Sequence, residues 1–262
     1  MSRSSAEQPD SLVQTERSGA VAVIYLNRPS RLNAVTQDLT AALVKALDEV
    51  GASDAGAVVL AGRGRAFCAG HDLREPAPPR ETLLARLEQL QDVTRRLRGL
   101  PQPVIAAVHG HVIGAGVEFL LGCDLVLAAV DTTFRFPEVG LGLSITGGAS
   151  KLLPLAVGPL RTRELLLLGE PFSAQEAAAW GIVNRAVPAA DLMSTALDWA
   201  TRLAGQPREA MALAKSALNA GIDSALAAAL TLEVAHALVT DEVRPDASRS
   251  VAASKARNTR HD

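Results

Sequence analysis

His109-Gly-His-Val-Ile-Gly-Ala-Gly-Val-Glu-Phe-Leu-Leu-Gly-Cys-Asp124 is the stretch from which the fold is read. The apolar run Pro103 to Val108 leads into it and reads as a buried strand. Three glycines follow, Gly110, Gly114 and Gly116, and then an apolar segment that carries one carboxylate, Glu118. A strand, a glycine turn and a helix start in that order leave backbone N–H groups directed at whatever sits above the helix. A glutamate in the first turn of such a helix either complements the helix dipole or is a reactive carboxylate.

Upstream, residues 1–10 are polar and are expected to be disordered, with no apolar segment of a signal peptide. Leu12 to Thr15 and Val21 to Leu26 flank Ser18-Gly19 and read as a hairpin. Asn27-Arg-Pro-Ser-Arg-Leu-Asn33 is a turn-rich connector. Thr36 can cap a helix whose apolar residues Leu39, Leu43, Leu47 and Val50 recur every three to four positions and which ends at Gly51. Ala57 to Ala61 is a short strand, Gly62 to Asp72 a loop with three glycines, and Glu81 to Leu97 a polar helix after a proline-rich break.

Downstream, Leu125 to Val130 and Thr133 to Phe136 read as strands, and Pro137-Glu138 ends the second. A further glycine-rich loop, Val139 to Gly148, feeds a helix over Ala149 to Val157. Ser173-x-x-Glu176 is a capping box for a helix that stops at Gly181, and Ile182 to Val187 is a last strand. From Leu192 only helical patterns remain, with a basic, frayed tail from Arg249. The fold class is therefore α/β with a C-terminal helical layer, divided as 1–10, a core over 11–190 and a helical region over 191–258.

Bulk properties narrow the function. The 262 residues are 48% hydrophobic, which supports a large core. A net charge of −2 and only 3% aromatics argue against a nucleic-acid surface. No run approaches the roughly 18 apolar residues of a membrane span. Cys68 and Cys123, with no Cys-x-x-Cys, read as reduced thiols in a cytoplasmic protein.

Gly110-x-x-x-Gly114-x-Gly116 matches the dinucleotide turn of short-chain dehydrogenases, but it lies far from the first strand, and the sole tyrosine, Tyr25, has no lysine four places later. His109-x-His111 lacks further ligands at metal spacing and reads as turn histidines. Ser144, Thr146 and Ser150 sit in glycine-rich sequence without a Gly-x-Ser-x-Gly elbow, so no serine nucleophile is read there. The sharper signal is Glu118 and Glu138, each in apolar surroundings beside a glycine-rich turn. A buried glutamate costs several kcal/mol unless paired or protonated. The two are either a facing acid/base pair or two partly exposed loop carboxylates.

Six motifs in order resemble the crotonase, or enoyl-CoA hydratase/isomerase, superfamily from about residue 12 to about residue 258. They are Leu26-Asn-Arg-Pro29 with Asn33-Ala34; Phe67-Cys-Ala-Gly-His-Asp72; Pro103-Val-Ile-Ala-Ala-Val108; Gly114-Ala-Gly-Val-Glu118 with Cys123-Asp124; Phe134-Arg-Phe-Pro-Glu138 with Leu141-Gly-Leu143; and Ser173-Ala-Gln-Glu-Ala177 with Gly181-Ile-Val183. The resemblance implies a spiral of ββα repeats and C-terminal helices that close the acyl pocket and support a homotrimer or a dimer of trimers. It implies an acyl-CoA thioester substrate, with CoA part of that substrate and no separate cofactor or metal.

By motif position, the resemblance assigns an oxyanion hole to the backbone N–H groups of His71 and Ala115. It assigns substrate contacts to Ala69, Gly70, Asp72 and Gly114, and catalysis to Glu118 and Glu138. The implied activity is hydration of a 2-enoyl-CoA, the alternatives being an enoyl-CoA isomerase, another crotonase-type enzyme or a weakly catalytic acyl-CoA binder. The helix over Glu81 to Leu97 and the C-terminal helices are expected to line the acyl pocket. The chain departs from the family pattern at Ala115, the middle of a usual glycine triple, at Arg135, where glycine is common, and in Ser144-Ile-Thr-Gly-Gly-Ala-Ser-Lys151, a loop one residue shorter than usual.

Overall fold

A computed structural model describes residues 11–223 and the single residues 227, 230, 231, 234, 235 and 238. The expectations for residues 1–10 and for the tail from Arg249 lie outside the described residues. Strands β1 (Val13–Ser18) and β2 (Val21–Leu26) form the expected hairpin, with β1 extending to the turn itself. Helix α1 (Gln37–Gly51) follows, and the Thr36 hydroxyl caps it by accepting from Leu39 N at 3.2 Å. Its buried stripe is Leu39, Leu43, Ala46, Leu47 and Val50, the spacing read in the sequence.

Strand β3 (Ala57–Gly62) is buried along its whole length, as is β4 (Val104–Val108); helix α2 (Arg80–Gly99) lies between them in the chain. The first correction follows β4. The chain does not pass straight from strand to glycine turn to helix: a short strand, β5 (His111–Ile113), precedes helix α3 (Ala115–Leu121). Three residues with histidine at one end carry too little periodicity to mark a strand. The pattern repeats with β6 (Leu125–Ala129), β7 (Thr133–Arg135) and helix α4 (Ala149–Leu168).

Helix α4 is the second correction, because it runs eleven residues beyond Val157. Gly158 breaks it at φ 77°, ψ 162°, and the helix resumes at Pro159. Proline disfavours helical geometry in the residue before it, yet is well suited to the first position of a new helical turn. One Gly-Pro pair therefore makes a kink inside a longer element. Strand β8 (Phe172–Ser173), helix α5 (Ala174–Trp180) with its capping box on Ser173 and Glu176, strand β9 (Arg185–Val187) and helices α6 (Leu192–Ala204) and α7 (Arg208–Asp223) complete the chain. The last strand is shorter than expected; Ile182 and Val183 are buried before it begins.

The main sheet has the order β1-β2-β3-β4-β6-β9, parallel except for the first pair, and a small second sheet has the order β5-β7-β8. Each of the units β4–β5–α3 and β6–β7–α4 thus gives its first strand to one sheet and its second to the other, the strand–strand–helix spiral that the resemblance implies. Both faces of the main sheet are covered. Ile24, Leu26, Leu60, Ala106 and Val126 pack towards α1, α2 and α3, while Val23, Val59, Ile105 and Leu127 pack against Leu192, Ala196 and Ala200 of α6. The two small residues let α6 lie close on the pleated surface, and a sheet covered on both faces explains why β3 and β4 read as unbroken apolar runs. No helix among the described residues is long and apolar enough to cross a membrane.

Candidate active site

Two backbone segments meet above the carboxyl ends of the parallel strands. Residues 68–72 lie between Val35 and β5: Cys68 N donates to His111 O at 3.1 Å, Ile113 N to Cys68 O at 2.9 Å, and Val35 N to Gly70 O at 2.8 Å. Asp72 N donates to Val35 O at 2.9 Å, so the intervening His71 turns its own N–H to the opposite side. The approach is tight: a Cβ on Gly70 would stand 2.9 Å from Ile113 O, and one on Gly116 would stand 2.7 Å from Cys68 O. Gly114, at φ 51° and ψ −117°, makes the bend that starts α3, and its carbonyl accepts from Val117 N and Glu118 N. Ala115 occupies the first helical position, where no intrahelical acceptor exists for its N–H.

Ala69, Gly70, His71, Asp72 and Gly114 all line one cavity of about 320 Å³. Ala115 follows Gly114 in the chain; it is 1% exposed and is not itself a lining residue. Asp72 is less available than the sequence suggests: its carboxylate accepts from Arg28 Nη1 at 2.6 Å and from Arg74 N at 3.1 Å. It ties the loop to the turn after β2. That turn is built on Asn33, fully buried at φ 55°, whose side chain accepts from Arg28 N and donates to Arg63 O and Ala66 O. The conspicuous Asn-Arg-Pro motif thus serves the architecture of the site.

Both glutamates reach the same cavity, in unlike settings. Glu118 is 1% exposed; Thr146 N donates to its Oε1 and Thr146 Oγ1 to its Oε2, each at 2.7 Å. Glu138, at the turn after β7, is 7% exposed, and its Oε2 is buried with no hydrogen-bond partner. Burial pushes its carboxyl up from 4.5 to about 7, with its own main-chain N–H and, after it, Arg135 pulling the other way. The reading of two partly exposed loop carboxylates is therefore set aside on burial alone. Two buried carboxyls on one cavity, one gripped by hydrogen-bond donors and one raised to about 7 by burial, suit proton transfer.

Much of the remaining wall is aliphatic. Leu83, Leu87 and Leu90 of α2 face Leu141 and Leu143, so α2 lines the cavity as expected. None of its lining residues among those described belongs to α6 or α7. Arg86 of α2 and Glu75 form an ion pair at its rim, and the Glu75 carboxylate also accepts from Gln37 N at 3.1 Å. The sequence reading missed this pair, as well as Gln91 and Thr94, buried polar residues three apart on the apolar face of α2. That spacing, a polar pair within a Leu90–Val93–Leu97 stripe, was the available signal. His109 Nε2 hydrogen-bonds Gly64 O at 2.9 Å, His111 is exposed, and no His/Cys/Asp/Glu cluster suited to a metal occurs among the described residues. Cys68 is buried, which pushes its thiol up to about 12, so it is no nucleophile.

Comparison with known proteins agrees with this geometry. The sequence model of the family described as enoyl-CoA hydratase/isomerase matches residues 16–247. The chain is 38% identical over 219 residues to the 1,2-epoxyphenylacetyl-CoA isomerase of Escherichia coli K12, covering 81% of this chain and 84% of that one. It is 35% identical over 222 residues to the short-chain-enoyl-CoA hydratase of Clostridium acetobutylicum, covering 83% and 85%. The crystal structure of an enoyl-CoA hydratase from Mycobacterium avium subsp. paratuberculosis superposes with a TM-score of 0.84 at 31% identity, over 92% of this chain and 98% of that one. The chain belongs to the enoyl-CoA hydratase/isomerase family of the crotonase superfamily.

Proposed function

We propose that this enzyme hydrates the double bond of a 2-enoyl-CoA thioester. The observation that carries the reading is the unlike state of two buried glutamates on one cavity: Glu118 clasped by two donors, Glu138 with an unpartnered buried oxygen. The His71 and Ala115 N–H groups receive the thioester oxygen, and charge drawn onto that oxygen makes C3 electrophilic. Preorganised donors of this kind supply roughly 3 kcal/mol each. Glu118 takes a proton from water as the water oxygen bonds to C3. Glu138, protonated near neutral pH, gives its proton to C2. One water is consumed, and a later proton exchange with solvent resets the pair. Hydration changes no overall oxidation level, so the proposal involves no electron carrier.

The second reading is double-bond isomerisation, in which Glu138 alone shuttles a proton. It is favoured by Thr146, which engages both oxygens of Glu118 and leaves Glu138 as the less restrained group. We further infer a soluble, cytoplasmic homotrimer or dimer of trimers, with the helical region 191–258 as its assembly layer. Exposed Leu213 and Leu218 on α7 support that role, and exposed Leu160 and Leu168 on α4 offer further apolar surface for assembly.

The test is loss of enoyl absorbance with crotonyl-CoA, in wild type, Glu118→Gln and Glu138→Gln. Hydration lost in both variants supports the first reading. Retained activity towards a 3-enoyl-CoA in Glu118→Gln alone supports the second. Tight binding of a saturated acyl-CoA with neither activity would leave only a binder.

A further inference from the structure

The loop over 144–148 departs from the family pattern, yet it is the loop that touches Glu118. Thr146 is 4% exposed and meets Glu118 twice, through its main-chain N–H and its hydroxyl. The loop is in turn fastened to α2. Gly147 N donates to Gln91 Oε1 at 2.7 Å, and Thr94 Oγ1 donates to Gly147 O at 3.0 Å. Gln91 is fully buried and Thr94 is 1% exposed, so both polar groups are placed where only a satisfied partner is tolerable. Gly147, at φ 62°, completes the fit: a Cβ there would stand 2.6 Å from Glu118 Cβ. The residue that would crowd the glutamate is absent, and the residue before it grips the carboxylate.

We propose that Thr146 is the positioning residue of this site, its hydroxyl and main-chain N–H together fixing the orientation of the Glu118 carboxylate towards the reacting atoms. The inference rests on the two-glutamate reading for its effect on turnover, though not for the clasp itself. A carboxylate held at both oxygens keeps its remaining lone pairs aimed in set directions, which is what orienting a water requires. Losing the hydroxyl removes one of the two anchors that Thr146 supplies and frees the carboxylate to rotate about the other of the pair. The titratable and charged groups that share the cavity with Glu118 are Glu138, His71, Asp72, Glu75 and Arg86, and Cys68 lies behind it. At the clasp itself α2 contributes only neutral groups, Gln91 and Thr94. None of these groups is altered by a change at position 146.

The test uses Thr146→Val, which keeps size and β-branching, and Thr146→Ser, which keeps the hydroxyl. In Thr146→Val, kcat for crotonyl-CoA hydration should fall at least about tenfold with little change in KM, because a hydrogen bond to a charged group is lost. The acidic limb of the pH profile should move up, because a donor to the carboxylate is lost. Thr146→Ser should restore most of both. The Glu118 carboxyl signal in protein labelled with ¹³C at the glutamate carboxyl, assigned by its absence in Glu118→Gln, should titrate at higher pH in Thr146→Val. Thermal unfolding shows that each variant is folded. Wild-type kcat and an unmoved Glu118 titration in Thr146→Val would overturn the proposal, and so would a serine variant as impaired as the valine one. Full hydration by Glu118→Gln with a moved titration in Thr146→Val would instead defeat the two-glutamate reading and leave the clasp intact.

Discussion

Replacing Glu138 by glutamine should abolish turnover and, above neutral pH, stabilise the protein. The side chain keeps its shape and loses its charge. In the fold the carboxyl sits at about 7 instead of 4.5, because burial penalises the ionised form. A raised carboxyl pKa means that the folded state holds a proton which the unfolded state has released. Stability is then greatest below 4.5 and is lost as pH rises to about 7. At about 1.4 kcal/mol per pH unit, the loss across that window is about 3 kcal/mol. Glutamine never ionises and escapes it. The assay is urea unfolding of wild type and Glu138→Gln at one protein concentration, at about pH 5 and about pH 8, since assembly would make stability concentration-dependent. The gap between the two proteins should widen in favour of the variant by about 2 kcal/mol on going to the higher pH. Parallel pH dependences in the two proteins would refute the assignment of a desolvated, protonated Glu138.

Gly114→Ala should disable the site without unfolding it. A Cβ there would stand 2.5 Å from Glu138 Oε1 on a backbone at φ 51°, so kcat/KM should drop while the circular dichroism melt shifts only by a few degrees. Full activity would contradict the placement of Glu138. Lys215→Met removes a buried ammonium that donates to Leu97 O, Gln102 O and Asp124 Oδ2, at 2.9, 3.1 and 2.7 Å. It should cost roughly 2 kcal/mol or more in urea unfolding. Asn33→Ala deletes three hydrogen bonds at a fully buried position and should destabilise by about 3 kcal/mol, with loss of acyl-CoA binding as the Gly70 loop loosens.

The architecture was legible wherever an element buries both faces or one clear stripe. The continuous runs in β3 and β4 and the Leu39–Leu43–Leu47 spacing of α1 needed nothing beyond periodicity. Elements whose existence depends on a distant partner were not legible. Strand β5 exists because Cys68 and β7 flank it, and neither is its sequence neighbour. The second half of α4 was hidden by Gly158-Pro159, because the same dipeptide ends a helix or kinks it according to what packs beyond.

At the site, the two glutamates stood out because charges in apolar sequence are costly, and the cavity does bring them together. Their difference did not show. Thr146 was weighed only as a nucleophile, since the role of a hydroxyl depends on the atom it faces, and Glu118 lies 28 residues away in the chain. The Arg28–Asp72 ion pair does not show either, because its partners lie 44 residues apart in the chain.

The close passage of residues 68–72 over the start of α3 has a consequence for folding. Each strip of backbone is useless alone: one hangs from Val35 and β5, the other from the bend at Gly114. The pocket wall therefore comes into being only when several remote strand pairings are already made, and no partly assembled chain presents half of it. A ligand that binds there registers completion of the whole sheet. Its stabilisation should fall on global unfolding and not on local fraying, so that hydrogen exchange would slow most in the slowest-exchanging strands of the sheet.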